Sequence, residues 1–338
     1  MTCRRRSTAA LASSFRAIHP HSDGPGCRPR SANGEEAVRW EAATRSPSTT
    51  FIVRFLPRAR TLPGVSDVLN EDLPAGAREL VDGISTASAG ADQFTAEAPR
   101  WFGELVFGGV IVAQTLHAAL QTVERPGLLH SLHGYFIRPV RGGQAVDVEV
   151  NRLRDGRAFS TRHAVMRQDD RTAFWMTCSF HAAEPGAEYQ LAREADVPGP
   201  DELPQSPWAP GPFLVRDVGP APPAADGTMA STRRVWFRCA EDLPDDPAVH
   251  IAIGAYLSDV TGNSFRPLTL DSWEGFADTS LDHALWFHRP FRADGWLYYD
   301  VQAVINTAGR SLIRGAMFRP DGRLCLSMTQ ELLIRPIP

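Results

Sequence analysis

A chain of 338 residues and 37.1 kDa is longer than one small domain and comfortable for two. Its 43% hydrophobic and 22% charged residues are ordinary for a globular protein that buries real cores, and no run approaches the roughly 18–20 apolar residues that a membrane-spanning helix needs. All 35 basic residues are Arg; the lack of Lys reads as codon bias in a high-GC genome and excludes any Schiff-base, P-loop or general-base lysine.

Charge divides the chain unevenly. Residues 1–60 hold 11 Arg against four acids (Asp23, Glu35, Glu36, Glu41), a net of +7, and the remainder holds 24 Arg against 35 acids, a net of −11. The acidic body argues against general nucleic-acid binding, which needs a basic face. Five scattered Cys (Cys3, Cys27, Cys178, Cys239, Cys325) without CxxC spacing exclude a zinc ribbon. They also argue against a disulfide framework and point to a reducing cytoplasm. Residues 1–75 lack apolar periodicity and are rich in Arg, Ser, Pro and Gly, so they read as disordered or as a miscalled extension, with the natural start near Val65 or Val68. The same composition describes an organellar transit peptide. Arg4-Arg5-Arg6 has the look of a twin-arginine signal, but residues 9–15 are too short and broken for its apolar region.

Helical signals begin at residues 77–82. Gly108-Gly109 then opens a stretch, 110–123, that is apolar nearly all round and stops at Pro126-Gly127, the pattern of a buried helix. Strand-like runs follow at 130–139, 145–153, 159–167 and 172–182, separated by Arg141-Gly142-Gly143, Asp155-Gly156 and Asp169-Asp170. Nine of the 27 Pro crowd into residues 198–223, so 188–230 reads as a linker or a surface crossover. Beyond it come a strand at 233–239, a helix, and strands from Leu281 to the end.

The order repeats. Phe136-Ile137-Arg138-Pro139 recurs 151 residues on as Phe287-His288-Arg289-Pro290, and Gly156-Arg157 recurs as Gly309-Arg310. Phe174, Met176, Cys178 and Phe180 recur 152 residues on as Leu326, Met328, Gln330 and Leu332. Each half is therefore predicted to be one helix plus an antiparallel sheet, an α+β unit duplicated and fused, with the halves at 76–187 and 231–338.

Strand alternation puts Gln330 on one face with Leu326, Met328, Leu332 and Ile334, so it is predicted to point into the core. A buried amide must find partners or lose about 1–3 kcal/mol. It is either a satisfied structural group or part of a polar site that the first half, with Cys178, lacks. In the second helix Asp246 can cap and Pro247 suits the first turn. Val249, Ala252, Ile253, Tyr256, Leu257 and Val260 form the apolar stripe. Asp259 falls about 20° from Ala252, at the stripe's border and in the last turn. Desolvation and the helix dipole both raise a pKa there, which suits a general base. The alternative is a solvent-facing Asp that closes the helix before Gly262. His130 and His133, and likewise His283 and His288, have odd spacings that put each pair on opposite faces of a sheet, which argues against a metal site. No G-x-S-x-G, HExxH, GxGxxG or Walker sequence occurs.

One set of motifs is more specific. The first half contains Val106-Phe107-Gly108-Gly109, Val112-Ala113-Gln114, His130-Ser131-Leu132-His133-Gly134-Tyr135-Phe136 and the run from Arg152 to Arg162. The second contains Ser258-Asp259, Ser280-Leu281-Asp282-His283-Ala284-Leu285-Trp286-Phe287-His288-Arg289-Pro290 and Thr329-Gln330-Glu331. With these motifs the sequence resembles the acyl-CoA thioesterase II family of double-hotdog hydrolases. The resemblance implies a double-hotdog fold and an acyl-CoA substrate of medium or long chain, with no metal and no cofactor. It implies that Asp259, Ser280 and Gln330 hold and activate a water. Backbone amides near Gly108 and Gly109 are candidate oxyanion donors, unless they only form a tight turn. The phosphates of CoA need cations, and Arg157, Arg162, Arg310 and Arg314 are the candidates. Departures are Val110 where the family usually has Gln, Leu332 where it has Gly, and residues 260–276, which bear on acyl-chain preference. A homo-oligomer is expected, with neither nucleic acid nor membrane as partner. The rival readings are a hotdog enoyl-CoA hydratase or dehydratase and a non-catalytic acyl-CoA-binding protein.

Overall fold

The first described helix, α1 (Ala77–Ile84), buries Ala77, Leu80 and Ile84 along one stripe and takes its N-terminal anchor from the second half, where the Glu241 carboxylate accepts the Ala77 amide at 3.0 Å. The computed structural model describes residues 73–125, 129–190, 197–219, 232–263 and 276–336, all within the unit Arg58–Pro338. Residues 1–72 of the predicted extension, and 264–275 of the segment expected to bear on chain preference, lie outside them.

A hairpin, β1 (Ala87–Gly90) and β2 (Gln93–Ala98), follows α1 and was not anticipated from a run of Ala, Ser, Gly and Thr. The predicted buried helix is α2 (Gly108–Leu120), with Val110, Val112, Ala113 and Leu116 wholly inaccessible. Then come β3 (Leu129–Phe136), β4 (Gln144–Asp155), β5 (Phe159–Gln168) and β6 (Arg171–His181), close to the predicted strands. Asp169 and Asp170 take φ of 51° and 59°, the left-handed pair of a two-residue type I′ hairpin, which short polar side chains tolerate.

The Pro-rich segment is less of a linker than its composition says. Residues 213–217 form β7 (Phe213–Asp217), which pairs with β8 (Thr232–Cys239), and Trp236 Nε1 donates to Pro198 O at 2.8 Å, tying the segment to the sheet. The five residues of β7 contain no Pro, so the flanking prolines hid a short edge strand. Asp246 caps α3 (Pro247–Asn263) by accepting the Ala248 amide at 2.9 Å, and the helix runs on through Gly262 rather than closing before it. The last strands are β9 (Phe276–Ser280), β10 (Asp282–Phe287), β11 (Leu297–Thr307), β12 (Arg310–Phe318) and β13 (Leu324–Pro336).

The described strands form one antiparallel sheet in the order β1-β2-β4-β5-β6-β3-β10-β13-β12-β11-β8-β7, with β9 also paired to β13. β3 and β10 join the halves, and His133 lies opposite Ala284, its own equivalent 151 residues on. The duplication is therefore a pseudo-two-fold axis through the middle of the sheet, and the two units form the predicted double hotdog. The two helices pack together and against the sheet. Gly109 lets them approach, because a Cβ there would lie 2.6 Å from the Tyr256 carbonyl oxygen.

Candidate active site

Four elements converge on Asp259, which is completely buried on α3. β13 supplies Gln330, equally buried, whose Nε2 donates to Asp259 Oδ1 at 2.7 Å and to Ser280 Oγ at 2.8 Å. β9 supplies Ser280, opposite Leu332 and thus on the same face as Gln330 two residues back; its hydroxyl also bonds Asp259. The first half supplies the N-terminus of α2, where the Gly109 amide bonds the same carboxylate and a Cβ at Gly108 would sit 2.7 Å from Asp259 Oδ2. Both glycines are needed for this approach. The site is therefore built across the junction of the repeats.

Burial pushes the Asp259 carboxyl up to about 7, and the Asp278 charge on β9 adds to the rise. The bonds from Gln330, Gly109 and Ser280 work against it. A carboxyl poised near neutral pH is a competent general base. The neighbouring Tyr256 phenol is pushed up, mainly by burial and then by the Asp259 charge, so it stays protonated.

The structure brings together Asp259, Ser280, Gln330, Gly108 and Gly109, but not the arginines. Arg162 is 1% exposed, with its guanidinium spent on Thr122 Oγ1 and O, the carbonyls of Arg154 and Thr161, and Asp155 Oδ1 at 2.5 Å, so it is a structural group rather than a phosphate ligand. Arg310 and Arg314 lie away from the cluster as well. The alternation of β12 turns them to the exposed face of the sheet, opposite its buried residues Ser311, Ile313 and Gly315, while Gln330 faces the core. There Arg310 pairs with Glu331 and Arg314 with Gln302. Arg157 lines an open cavity of about 530 Å³ with Arg125, Arg152 and Arg162. The Gly109 amide faces the carboxylate itself, which leaves it no role as an independent oxyanion donor.

Sequence reasoning passed over His283. It is fully buried on β10, with Nε2 2.8 Å from Ser258 Oγ, and Gln330 is the neighbouring side chain that acts on its charge. The signal that could have found it is register: Ala284 pairs Thr329 across β10 and β13, which sets His283 beside Gln330. Among the described residues, no group of three His, Cys, Asp or Glu is arranged to hold a metal, and no helix is long and apolar enough to cross a membrane.

Such a sheet and such a cluster define a double-hotdog protein with a carboxylate, amide and hydroxyl site at the junction of its halves. Two family profiles match, "Acyl-CoA thioesterase N-terminal domain" over residues 97–181 and "Acyl-CoA thioesterase" over 216–333. The chain is similar to human acyl-coenzyme A thioesterase 8, with 31% identity over 69% of this chain and 81% of that one. It is similar to acyl-CoA thioesterase 2 of Haemophilus influenzae, with 28% identity over 80% and 99% of the two chains. The crystal structure of acyl-CoA thioesterase II TesB2 from Mycobacterium marinum superposes with a TM-score of 0.68 at 36% identity, covering 76% of this chain and 98% of that one. The chain belongs to the acyl-CoA thioesterase family.

Proposed function

We propose that this protein hydrolyses medium- and long-chain fatty acyl-CoA to free acid and CoA, with a water activated by Asp259. The supporting observation is the single carboxylate held by Gln330, Ser280 and the α2 N-terminus in a buried setting that raises its pKa to about 7. Asp259 accepts a proton as the water oxygen attacks the thioester carbonyl. Ser280 fixes the water's position, Gln330 holds Ser280 and Asp259 in place, and the positive end of α2 favours the negative charge as it passes from Asp259 to the carbonyl oxygen. Collapse of the tetrahedral species breaks the C–S bond, and the proton held by Asp259 goes to the departing thiolate. Every step uses only residues of the chain and water. Arg157 and its cavity fit the anionic end of CoA better than the other arginines do.

The cytoplasm suits the buried free thiols of Cys178, Cys239 and Cys325. A homo-oligomer would cover the exposed apolar side chains Tyr135, Ile137, Leu153 and Ile305. The test of function is thiol release from short-, medium- and long-chain acyl-CoA by the wild type and by Asp259→Asn. Release by the wild type and its loss in the variant are expected. Full activity in the variant refutes the assigned base, and hydration of crotonyl-CoA without thiol release refutes the reaction.

A further inference from the structure

Gln330 is an acceptable ligand for the site in only one of its two amide orientations. With Nε2 toward Asp259 and Ser280, both its N–H bonds are used. Turned by 180°, the amide would set its oxygen against a carboxylate. Once Asp259 has taken the water's proton, however, that electrostatic preference weakens, at the stage when the amide must not move. Something other than Asp259 has to hold it.

The neighbour placed to do so is His283. The two side chains sit side by side on β10 and β13, both fully buried and on the core face. Each has one buried atom without a partner of ordinary bonding geometry, Nδ1 of His283 and Oε1 of Gln330, and Gln330 is the group that, after burial, bears on the charge of the imidazole. A buried donor and a buried acceptor left apart would each cost about 1–3 kcal/mol; together they satisfy one another. The duplicated first half provides an internal comparison. There the equivalent positions are Leu132 and Cys178, paired opposite each other in the same register and equally buried. Apolar residues fill that place without loss of the fold. The second half carries both polar groups where the first carries neither, as expected if each requires the other.

We propose that His283 is a positioning residue whose Nδ1–H donates to Gln330 Oε1 and so locks the amide with both N–H bonds on Asp259 and Ser280. The other ring nitrogen, Nε2, is then an acceptor; the Ser258 hydroxyl lies 2.8 Å from it and 2.7 Å from the Ala255 carbonyl oxygen, and its single proton is here directed to Nε2. Ser258 is itself held by Tyr299, whose hydroxyl donates to the Ser258 carbonyl oxygen at 2.9 Å. Burial pushes the imidazole down to about 4, so the ring is neutral at working pH and this tautomer is available.

This inference rests on Asp259 being the base, and the test keeps the two apart. His283→Leu removes the donor; His283→Asn restores an N–H where Nδ1–H stood. The Leu variant is expected to lose about 10- to 100-fold in kcat on dodecanoyl-CoA with KM within about twofold, because misplacement rather than binding is at fault. The acid limb of its kcat/KM profile should move to higher pH, since the Gln330 bond lowers the Asp259 pKa. The Asn variant should recover most of the rate, and in a Gln330→Ala background His283→Leu should cost nothing further. Equal losses in the Leu and Asn variants, an unmoved acid limb, or multiplying effects in that background would overturn the proposal. A readout independent of turnover is the nitrogen-15 histidine spectrum, with the His283 signal assigned by its loss in the Asn variant. The Nδ1–H tautomer is expected and the Nε2–H tautomer refutes it. A wild type without thioesterase activity but with the Nδ1–H tautomer would count against the reaction alone.

Discussion

Replacing Asp259 with Asn removes the ionisable group of the site while keeping its shape, and it should separate stability from activity. In the folded chain this carboxyl ionises near pH 7 rather than at 3.8, chiefly because it is buried. A raised native pKa means that the folded state holds its proton over a range where the unfolded chain has released it. The associated stability is fully present below about pH 3.8, is lost progressively as pH rises to about 7, and is flat above. About three pH units at ~1.4 kcal/mol each give roughly 4 kcal/mol in all, of which about 2–3 kcal/mol falls between pH 5 and pH 8. The Asn variant lacks this term. It carries instead a roughly pH-independent loss of about 1–3 kcal/mol, because its Nδ2 donor must face one of the donors (Gln330, Ser280, Gly109) that the carboxylate accepted. Urea midpoints of the two proteins, measured from pH 5 to pH 8, should therefore diverge in favour of the variant by about 2–3 kcal/mol across that range. The variant should release no CoA. A stability difference that stays constant with pH would show that Asp259 ionises normally, and the assignment of the base would fail with it.

Other consequences are open to direct measurement. In the wild type kcat/KM should climb through about pH 7 and level off, because the base works only when ionised; a profile flat from pH 5 to 8 contradicts this. Ser280→Ala should lower kcat by about 10- to 100-fold and move the acid limb upward, as the lost bond is one that lowers the Asp259 pKa, while Ser280→Thr keeps the hydroxyl and most of the rate. Gly109→Ala would put a Cβ 2.6 Å from the Tyr256 carbonyl, so thermal melts should show a loss of about 1–3 kcal/mol from helices forced apart. Arg310→Ala and Arg314→Ala should leave KM for acyl-CoA within about twofold, since both lie on the far face of the sheet.

Much of the architecture was legible in the sequence because it rests on period and repetition. Helix α2 is apolar all round, β3 to β6 alternate, and the 151-residue repeat fixes two like halves whatever their contacts. Gln330 and Asp259 were legible too, since a polar residue in an apolar stripe is visible from spacing alone. Ser280 was reached only through family resemblance, because a lone hydroxyl has no periodic signature. The β1–β2 hairpin and β7 escaped, the first being made of small residues and the second framed by prolines. Their pairing is a long-range property that local propensity does not carry.

The rest was decided in three dimensions. The need of CoA phosphates for cations, in a chain with no Lys, raised Arg162, Arg310 and Arg314, yet burial spent the first on its own fold and strand parity turned the other two away from the site. Gly108 and Gly109 were visible as a turn, but only helix packing across the repeats shows that they admit α2 to the carboxylate of α3. His283 looked unremarkable from its spacing to other histidines; its partner lies 47 residues on, one strand across. Sequence alone determined the duplicated frame and the polar residues that break its apolar pattern, because those are local facts. Which of them meet, and which stays charged or neutral, depends on desolvation and on distances between residues far apart in the chain, and only the tertiary structure sets those.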